Sequence, residues 1–202
     1  MSKTIWKITR WIWTALVFFY VVLIIVRIPH AINKQRTDKV VAKIHATKLT
    51  LDDAMGKNLP PNPGAEADKT LAGIDVNRNG IRDDVELAVF KEYPHSARTR
   101  SVLLQYALVL QMEMIQPIVN TDVVIAVAQE RSRAAGCIAE SESRSDIKKF
   151  IATTRKFNDL VKQLQINDNA RNIAEAKFLE NIGSYMDPIG EDCDLVLNSL
   201  SN

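Results

Sequence analysis

The chain has 202 residues, of which 47% are hydrophobic and 25% are charged, so it is long enough for one folded domain beside a membrane segment. Its formal net charge of +2 is unevenly distributed, because residues 1–48 carry nine Lys and Arg against one acid and residues 49–202 carry a net charge of −6. The positive charge therefore lies outside the expected domain, where it suits anionic lipid headgroups and argues against a nucleic-acid-binding protein.

Residues 11–28 form an apolar run, interrupted by Thr14 and Arg27 and preceded by a short basic segment at residues 1–10. A helix of roughly 18 residues is about 27 Å long, close to the thickness of a bilayer core. Tryptophans cluster at one end of the run, where an aromatic belt would lie. The run predicts a transmembrane signal anchor with residues 1–10 in the cytoplasm. A cleaved signal peptide is the alternative, although the run is long for one and the small-x-small cleavage signature is poor.

Residues 29–58 are predicted to form a basic helical stalk, which either continues the membrane helix or lies along the headgroups. Within it, Thr50 and Asp53 form a T-x-x-D pattern that caps a short helical stretch. Residues 59–72 follow as a proline-rich linker, because three prolines within four positions favour a stiff, extended spacer. The linker separates the anchor from a domain predicted at residues 73–202.

The domain begins with a loop that fits the pattern D-x-[DN]-x-[DN]-G-x5-E at every specified position, from Asp75 to Glu86. Calcium takes about six to eight oxygens, so a short loop can surround it only if oxygen-bearing residues alternate and the chain bends sharply at a glycine. Gly80 provides that bend. The predicted ligands are five side chains and the backbone carbonyl of Ile81, namely Asp75, Asn77, Asn79, Ile81, Asp83 and Glu86.

These residues resemble an EF-hand loop and, more closely, the calcium loops of thrombospondin type 3 repeats and of bacterial envelope proteins. The resemblance covers residues 75–86 only and implies structural Ca²⁺ binding. Paired EF-hands usually carry a hydrophobic residue at the eighth position, which is Arg82 here, and no second loop of this pattern occurs in the sequence. Two neutral amides among the ligands and two nearby cations, Arg78 and Arg82, favour a weak site with a dissociation constant of roughly 10⁻⁴ to 10⁻³ M.

A turn followed by a capped helix is the alternative interpretation of the same stretch. Asn79-Gly80 is a strong turn signal, and Asp83 with Glu86 forms a D-x-x-E capping pattern. Those features need no metal, but they leave Asp75 and Asn77 unexplained at their spacing.

Every long segment after the loop has apolar residues at three- and four-residue steps, which predicts helices. The signals for helix starts are Ser96, Thr121, Asp146 and Asn167-Asp168, and the signals for the ends of the first two helices are Pro117 and Gly136. The expected fold is all-α, with one N-terminal transmembrane helix, the basic stalk and a compact four- or five-helix bundle that carries the calcium-type loop.

Two cysteines, Cys137 and Cys193, lie 56 residues apart and match no metal-binding or redox spacing. We predict that they form one disulfide, which ties the C-terminal tail to the end of a helix. Two reduced, buried cysteines are the alternative. The acidic tail, residues 187–202, is otherwise expected to be solvated.

The positive-inside rule does not decide the orientation of the chain, because basic residues flank residues 11–28 on both sides. A disulfide and a weak calcium loop both suit an oxidising compartment outside the cytoplasm. We therefore place the chain in a bacterial inner membrane, with a single pass and the C-terminal domain in the periplasm.

Catalytic signatures are missing from the sequence. None of the three histidines lies in an H-E-x-x-H motif, and there is no nucleophile elbow, P-loop or dinucleotide fingerprint. The first functional hypothesis is a membrane-anchored, calcium-binding envelope protein that binds another protein, as an accessory factor or as an inhibitor of the immunity type. The alternatives are an envelope hydrolase with structural calcium and a site assembled only in the fold, and a structural homo-oligomer.

Overall fold

The computed structural model describes residues 3–187 and 190–201 of the chain. All regular structure within these ranges is helical, and no strand occurs in them, so the predicted all-α fold with a helical bundle is confirmed. The chain divides into two compact units, Met1–Ala42 and Lys43–Asn202. The α-helices are α1 (Lys3–Ala46), α2 (Leu51–Met55), α3 (Asp83–Glu92), α4 (Ala97–Ile115), α5 (Thr121–Glu140), α6 (Ile147–Gln165) and α7 (Asn169–Glu180), and 3-10 turns lie at Gly64–Asp68 and Leu197–Ser199.

The first unit consists of most of α1. An apolar window of this helix has a mean hydropathy of 2.3, and by length and composition it is the one helix among the described residues that could cross a membrane. Its apolar side chains are exposed, including Trp11 at 74% and Phe18 at 71%. A helix that exposes apolar side chains on every face is more stable in lipid than in water.

The core of the second unit is built around α4, which is buried on all sides. A helix that is buried around its whole circumference has no face for solvent and therefore lies in the centre of the bundle. α4 packs against α2, α3, α5, α6 and α7. The apolar side chains that it brings to the core include Val102, Leu103, Leu104, Ala107, Leu108 and Leu110.

Side-chain caps form at the predicted helix starts. Ser96, Asp146 and Asp168 each accept a hydrogen bond from a backbone N–H in the first turn of the helix that follows. Thr121 is the first residue of α5, and the cap is its neighbour Asn120. Each cap satisfies an N–H group that has no acceptor within its own helix.

Gly136 does not end α5, which continues to Glu140, so this prediction was wrong. The glycine instead makes room for the C-terminal tail. A Cβ atom built on Gly136 would lie 2.2 Å from Oδ2 of Asp192. Glycine in a helix interior costs about 1 kcal/mol relative to alanine. The close approach of the tail offsets that cost.

The predicted disulfide joins Cys137 and Cys193, whose Sγ atoms are 2.02 Å apart. On either side of Cys193 the tail is held by Gln105 of α4. The side-chain amide of Gln105 donates to the carbonyl of Asp192 at 2.8 Å and accepts from the N–H of Asp194 at 3.0 Å. The leucines of the tail lie in or against the core. The described part of the tail is therefore packed on the domain and is not the solvated extension expected from its acidic composition.

Residues 43–58, predicted to be part of the stalk, belong to the second compact unit. Leu49 and Ala54 are buried in its core. The predicted capping box is present, because the Thr50 side chain accepts from the N–H of Asp53 and the Asp53 carboxylate accepts from the N–H of Thr50 at 2.9 Å. The apolar residues of this stretch are too few to form a periodic pattern, and for this reason its packing was not visible in the sequence.

Candidate metal centre

The candidate loop, residues 75–86, leads directly into the first turn of α3. It reverses direction at Arg78 and Gly80, which have φ angles of +59° and +85°. A Cβ atom on Gly80 would also lie 2.7 Å from the side chain of Leu108, so the glycine permits close packing against α4. Across the base of the loop, the N–H of Asp83 donates to the carbonyl of Ile74 at 2.9 Å. The loop is thus a closed turn held against the central helix.

Two of the predicted ligands stabilise this turn through their carboxylates. Asp75 accepts hydrogen bonds from the backbone N–H groups of Asn79, at 3.2 Å, and Gly80, at 2.9 Å. Asp83 accepts from the N–H of Val76 at 3.1 Å. Both carboxylates are therefore held within the turn by the backbone of the loop itself.

Asn77, Asn79 and Glu86 meet at one point. The Nδ2 atoms of Asn77 and Asn79 lie 3.0 and 3.2 Å from the same oxygen, Oε2 of Glu86. Oxygens bound about 2.4 Å from one calcium ion lie roughly 3 Å from each other. A half-turn of each amide would bring its oxygen to this point, at the cost of the bond from Asn77 Nδ2 to the carbonyl of Asn58 and of the bond that Asn79 Oδ1 accepts from the N–H of Ile81. The three side chains therefore fit a single small cation.

The carboxylates of the loop are buried without a basic partner. Asp83 is 0% and Glu86 is 1% exposed. In the described part of the chain, no side-chain nitrogen of Lys, Arg or His lies within 4.0 Å of these carboxylates or of the Asp75 carboxylate. Burial raises the pKa of Glu86 to about 7 and also raises the pKa of Asp83. Ionised carboxylates at these positions therefore have no positively charged partner among the described residues, and burial favours their protonated form.

Asp53 of α2 is a further carboxylate beside the loop, and it was not among the predicted ligands. Its Oδ1 lies 3.5 Å from Nδ2 of Asn79, and its charge contributes, after burial, to the raised pKa of Glu86. The sequence marked Asp53 only as the partner of Thr50 in a helix cap. That signal concerns local structure, whereas the approach of Asp53 to the loop depends on tertiary packing.

Arg82, expected to be a cation near the ligands, turns away from them. Its side chain is fully buried, and its Nε donates to Asp84 at 3.0 Å while Nη1 donates to the carbonyl of Gln165 at 3.1 Å. It therefore neutralises Asp84, which is not a predicted ligand, and connects the loop to the end of α6. Arg82 does not reduce the negative charge of the candidate site.

The alternative of a turn and a capped helix accounts for less of this arrangement. The residue before α3 is Arg82, which forms no side-chain cap. The Asp83 carboxylate bonds to Val76 and not to the first turn of the helix. A cap also gives no reason for two amides to meet on a buried Glu86.

Among the described residues, no three His, Cys, Asp or Glu side chains lie close enough together to hold a metal ion by themselves. Asp75 and Asp83 accordingly bond to the backbone of the loop, and Glu86 is the carboxylate at the point where the two amides meet. A calcium ion bound by all three carboxylates would have to draw them together. Comparison with known protein families, curated proteins and solved structures gives no match. Function is therefore inferred from the site itself.

Proposed function

We propose that residues 75–86 bind one calcium ion. The observation that carries this proposal is the burial of Asp83 and Glu86 with no basic side chain paired to them among the described residues. A buried carboxylate is costly unless it is paired with a cation or coordinates a metal. A calcium ion supplies two positive charges where the described residues supply none. The proposed ligands are the side chains of Asp75, Asn77, Asn79, Asp83 and Glu86 and the backbone carbonyl of Ile81.

The proposed site is structural and weak, with a dissociation constant of roughly 10⁻⁴ to 10⁻³ M. Two of its ligands are neutral amides, and no second loop of the same pattern is present in the sequence to pair with it. A site of this affinity is filled outside the cytoplasm and is empty at cytosolic calcium concentrations.

We propose further that the protein is a single-pass protein of the bacterial inner membrane, anchored by residues 11–28, with its domain in the periplasm. The exposed apolar surface of α1 supports the anchor. The disulfide between Cys137 and Cys193 supports an oxidising compartment, because cytosolic thiols are kept reduced.

The proposed role in that location is to bind another envelope protein, as an accessory factor or as an inhibitor of the immunity type. A cavity of about 620 Å³ between the end of α4 and α7 is lined by apolar residues, among them Met114, Ile115 and Ile173, together with Glu113 and Lys177. Its lining holds one carboxylate, whereas glycoside hydrolysis requires a pair facing the substrate. We therefore favour a binding role over a hydrolase.

Calcium titration of the full-length chain in detergent micelles tests the metal site. After treatment with a chelator, calcium at about ten times the dissociation constant should stabilise the fold by roughly 1.4 kcal/mol and raise the melting temperature. The substitutions Glu86→Gln and Asp75→Asn should abolish this shift. Glu92→Gln is the matched control, because Glu92 lies on the same helix but is exposed. A wild-type melting temperature that is unchanged up to about 10 mM calcium would contradict the proposal.

Crosslinking in intact membranes tests the role. One defined protein should be captured by the wild-type chain and by the Glu92→Gln variant, and its yield should fall with Glu86→Gln. Equal capture by all three chains would show that partner binding does not require the calcium site, and failure of the wild-type chain to capture a defined protein would contradict the proposed role.

A further inference from the structure

Asp53 has one carboxylate oxygen engaged in local structure and one that faces the loop. Oδ2 accepts from the backbone N–H of Thr50 at 2.9 Å and from its hydroxyl at 2.5 Å, which completes the cap of α2. Oδ1 accepts one long hydrogen bond, from Nδ2 of Asn79 at 3.5 Å. The same nitrogen lies 3.2 Å from Oε2 of Glu86. A single amide group therefore separates two carboxylates, both of them at least nine-tenths buried.

The position of Asp53 is determined by the core and not by its own helix, which is only five residues long. The next residue, Ala54, is fully buried, and its carbonyl accepts from Nε of Arg100 at 3.0 Å. At the end of α2, Gly56 packs so closely on Phe90 of α3 that a Cβ atom would lie 2.5 Å from the ring. These contacts hold α2 beside the helix into which the loop leads.

A second contact joins the same segment to the loop. The Nδ2 atom of Asn77 donates to the backbone carbonyl of Asn58 at 3.1 Å as well as to Glu86 at 3.0 Å. Residues 53 and 58 thus reach the two amides that meet on Glu86. Among the described residues no side-chain nitrogen of Lys, Arg or His lies within 4.0 Å of the Asp53 carboxylate, so Asp53 has no ion-pair partner there.

We propose that Oδ1 of Asp53 is a calcium ligand from outside the loop, so that the bound ion crosslinks residues 50–58 to residues 75–86. The inference rests on the proposed calcium site. It adds a carboxylate to the ligands predicted from the sequence and makes calcium a clamp on the segment that follows the membrane helix in the chain. Without calcium the segment keeps the contacts of Ala54 and Gly56, and with calcium it gains a bond to the ion through Asp53.

The test compares Asp53→Asn with Asp52→Asn in the full-length chain in detergent micelles. Both substitutions remove one negative charge from α2, but Asp52 is a surface residue that pairs with Lys57 at 2.6 Å. Calcium binding is measured by isothermal titration with calcium chloride. Asp53→Asn should weaken calcium affinity about tenfold or more, and Asp52→Asn should change it less than about threefold. Thr50→Ala, which removes the cap and keeps the carboxylate, should retain most of the affinity.

Hydrogen exchange of the wild-type chain provides a measurement that needs no variant. Amides of residues 50–58 should exchange more slowly when calcium is added, and this gain should be lost in Asp53→Asn. Equal calcium affinity of Asp53→Asn and wild type, or unchanged exchange of residues 50–58, would overturn the role of Asp53 while the loop site stands. Absence of calcium binding by the wild type would refute both the loop site and the clamp.

Discussion

The carboxylate of Asp194 accepts a hydrogen bond from the backbone N–H of Leu49 at 3.0 Å, across 145 residues of sequence. The other oxygen of the carboxylate lies 3.0 Å from Nη2 of Arg133 on α5 and 3.6 Å from Nζ of Lys48. Cys193, the neighbour of Asp194, is tied to α5 by the disulfide. The C-terminal tail therefore holds residues 48 and 49 against the domain.

The double substitution Cys137→Ser, Cys193→Ser should lower the free energy of unfolding by roughly 2–4 kcal/mol, because the unfolded chain regains the freedom of a 56-residue loop. It should also speed hydrogen exchange at Leu49, whose amide bonds to Asp194. Urea unfolding and hydrogen exchange of the full-length chain measure both effects. Wild-type protein treated with a reductant should behave in the same way, and unchanged exchange at Leu49 would show that the tail stays in place without the bond.

Gly136→Ala should destabilise the fold by about 1–3 kcal/mol, although alanine is the better helix former. The added methyl group would meet the carboxylate of Asp192 at 2.2 Å and push the tail away from α5. Gly183→Ala is the matched control, because a Cβ atom at that position has no neighbour within 4 Å. The change in melting temperature relative to the wild type, measured by thermal unfolding, should therefore differ in sign or in size between the two variants. A stabilised Gly136→Ala variant would mean that the tail does not pack on this turn of the helix.

The buried pair of Glu113 on α4 and Arg131 on α5 should make stability depend on pH. Arg131 donates to Oε2 of Glu113 at 2.6 Å, yet burial raises the pKa of Glu113 from 4.5 to about 7. The folded state thus binds this proton more tightly than the unfolded chain does. The contribution of Glu113 to the free energy of unfolding is therefore largest below pH 4.5 and is lost as the pH rises through about 7.

Glu113→Gln cannot titrate, so the stability of the wild type relative to this variant should fall by about 3 kcal/mol between pH 4.5 and about pH 8. Urea unfolding of both chains across this range measures the difference, and Glu180→Gln serves as the exposed control. A difference that does not vary with pH would show that the pKa of Glu113 is the same in the folded and the unfolded chain.

Arg171 on α7 is fully buried and holds the segment that leads into the calcium-type loop. Its guanidinium donates to the carbonyls of Ala67, at 2.8 Å, and Thr70, at 3.1 Å, and to the carboxylate of Asp68 at 2.7 Å. Arg171→Ala should cost about 3 kcal/mol or more, because it leaves buried carbonyls without a donor.

Arg171→Lys should restore little of the lost stability, since an ammonium group lacks the planar fork that reaches several acceptors at once. Arg155→Ala, at an exposed position on α6, is the control. Melting temperatures of the three full-length variants provide the comparison. Full recovery of the melting temperature in Arg171→Lys would show that the positive charge alone accounts for the stability that Arg171→Ala loses.

The sequence by itself determined the features that depend on neighbouring residues. The apolar run at residues 11–28 identified the long exposed helix, and Ser96, Asp146 and Asp168 marked helix starts, because a cap acts within its own first turn. The alternating oxygen ligands of residues 75–86 predicted the calcium-type loop for the same reason, although calcium binding itself stays a prediction.

Only the tertiary structure decided which distant groups meet. It placed Asp53 beside the loop and directed the Arg82 side chain away from it. It also continued α5 beyond Gly136 and packed the acidic tail on the core. Each of these outcomes depends on burial and close contact between residues far apart in the chain, and no local pattern of residues encodes such contacts. The burial of Asp83 and Glu86 away from basic side chains was also decided by the tertiary structure. The sequence shows that a carboxylate is present but not whether the folded chain buries it.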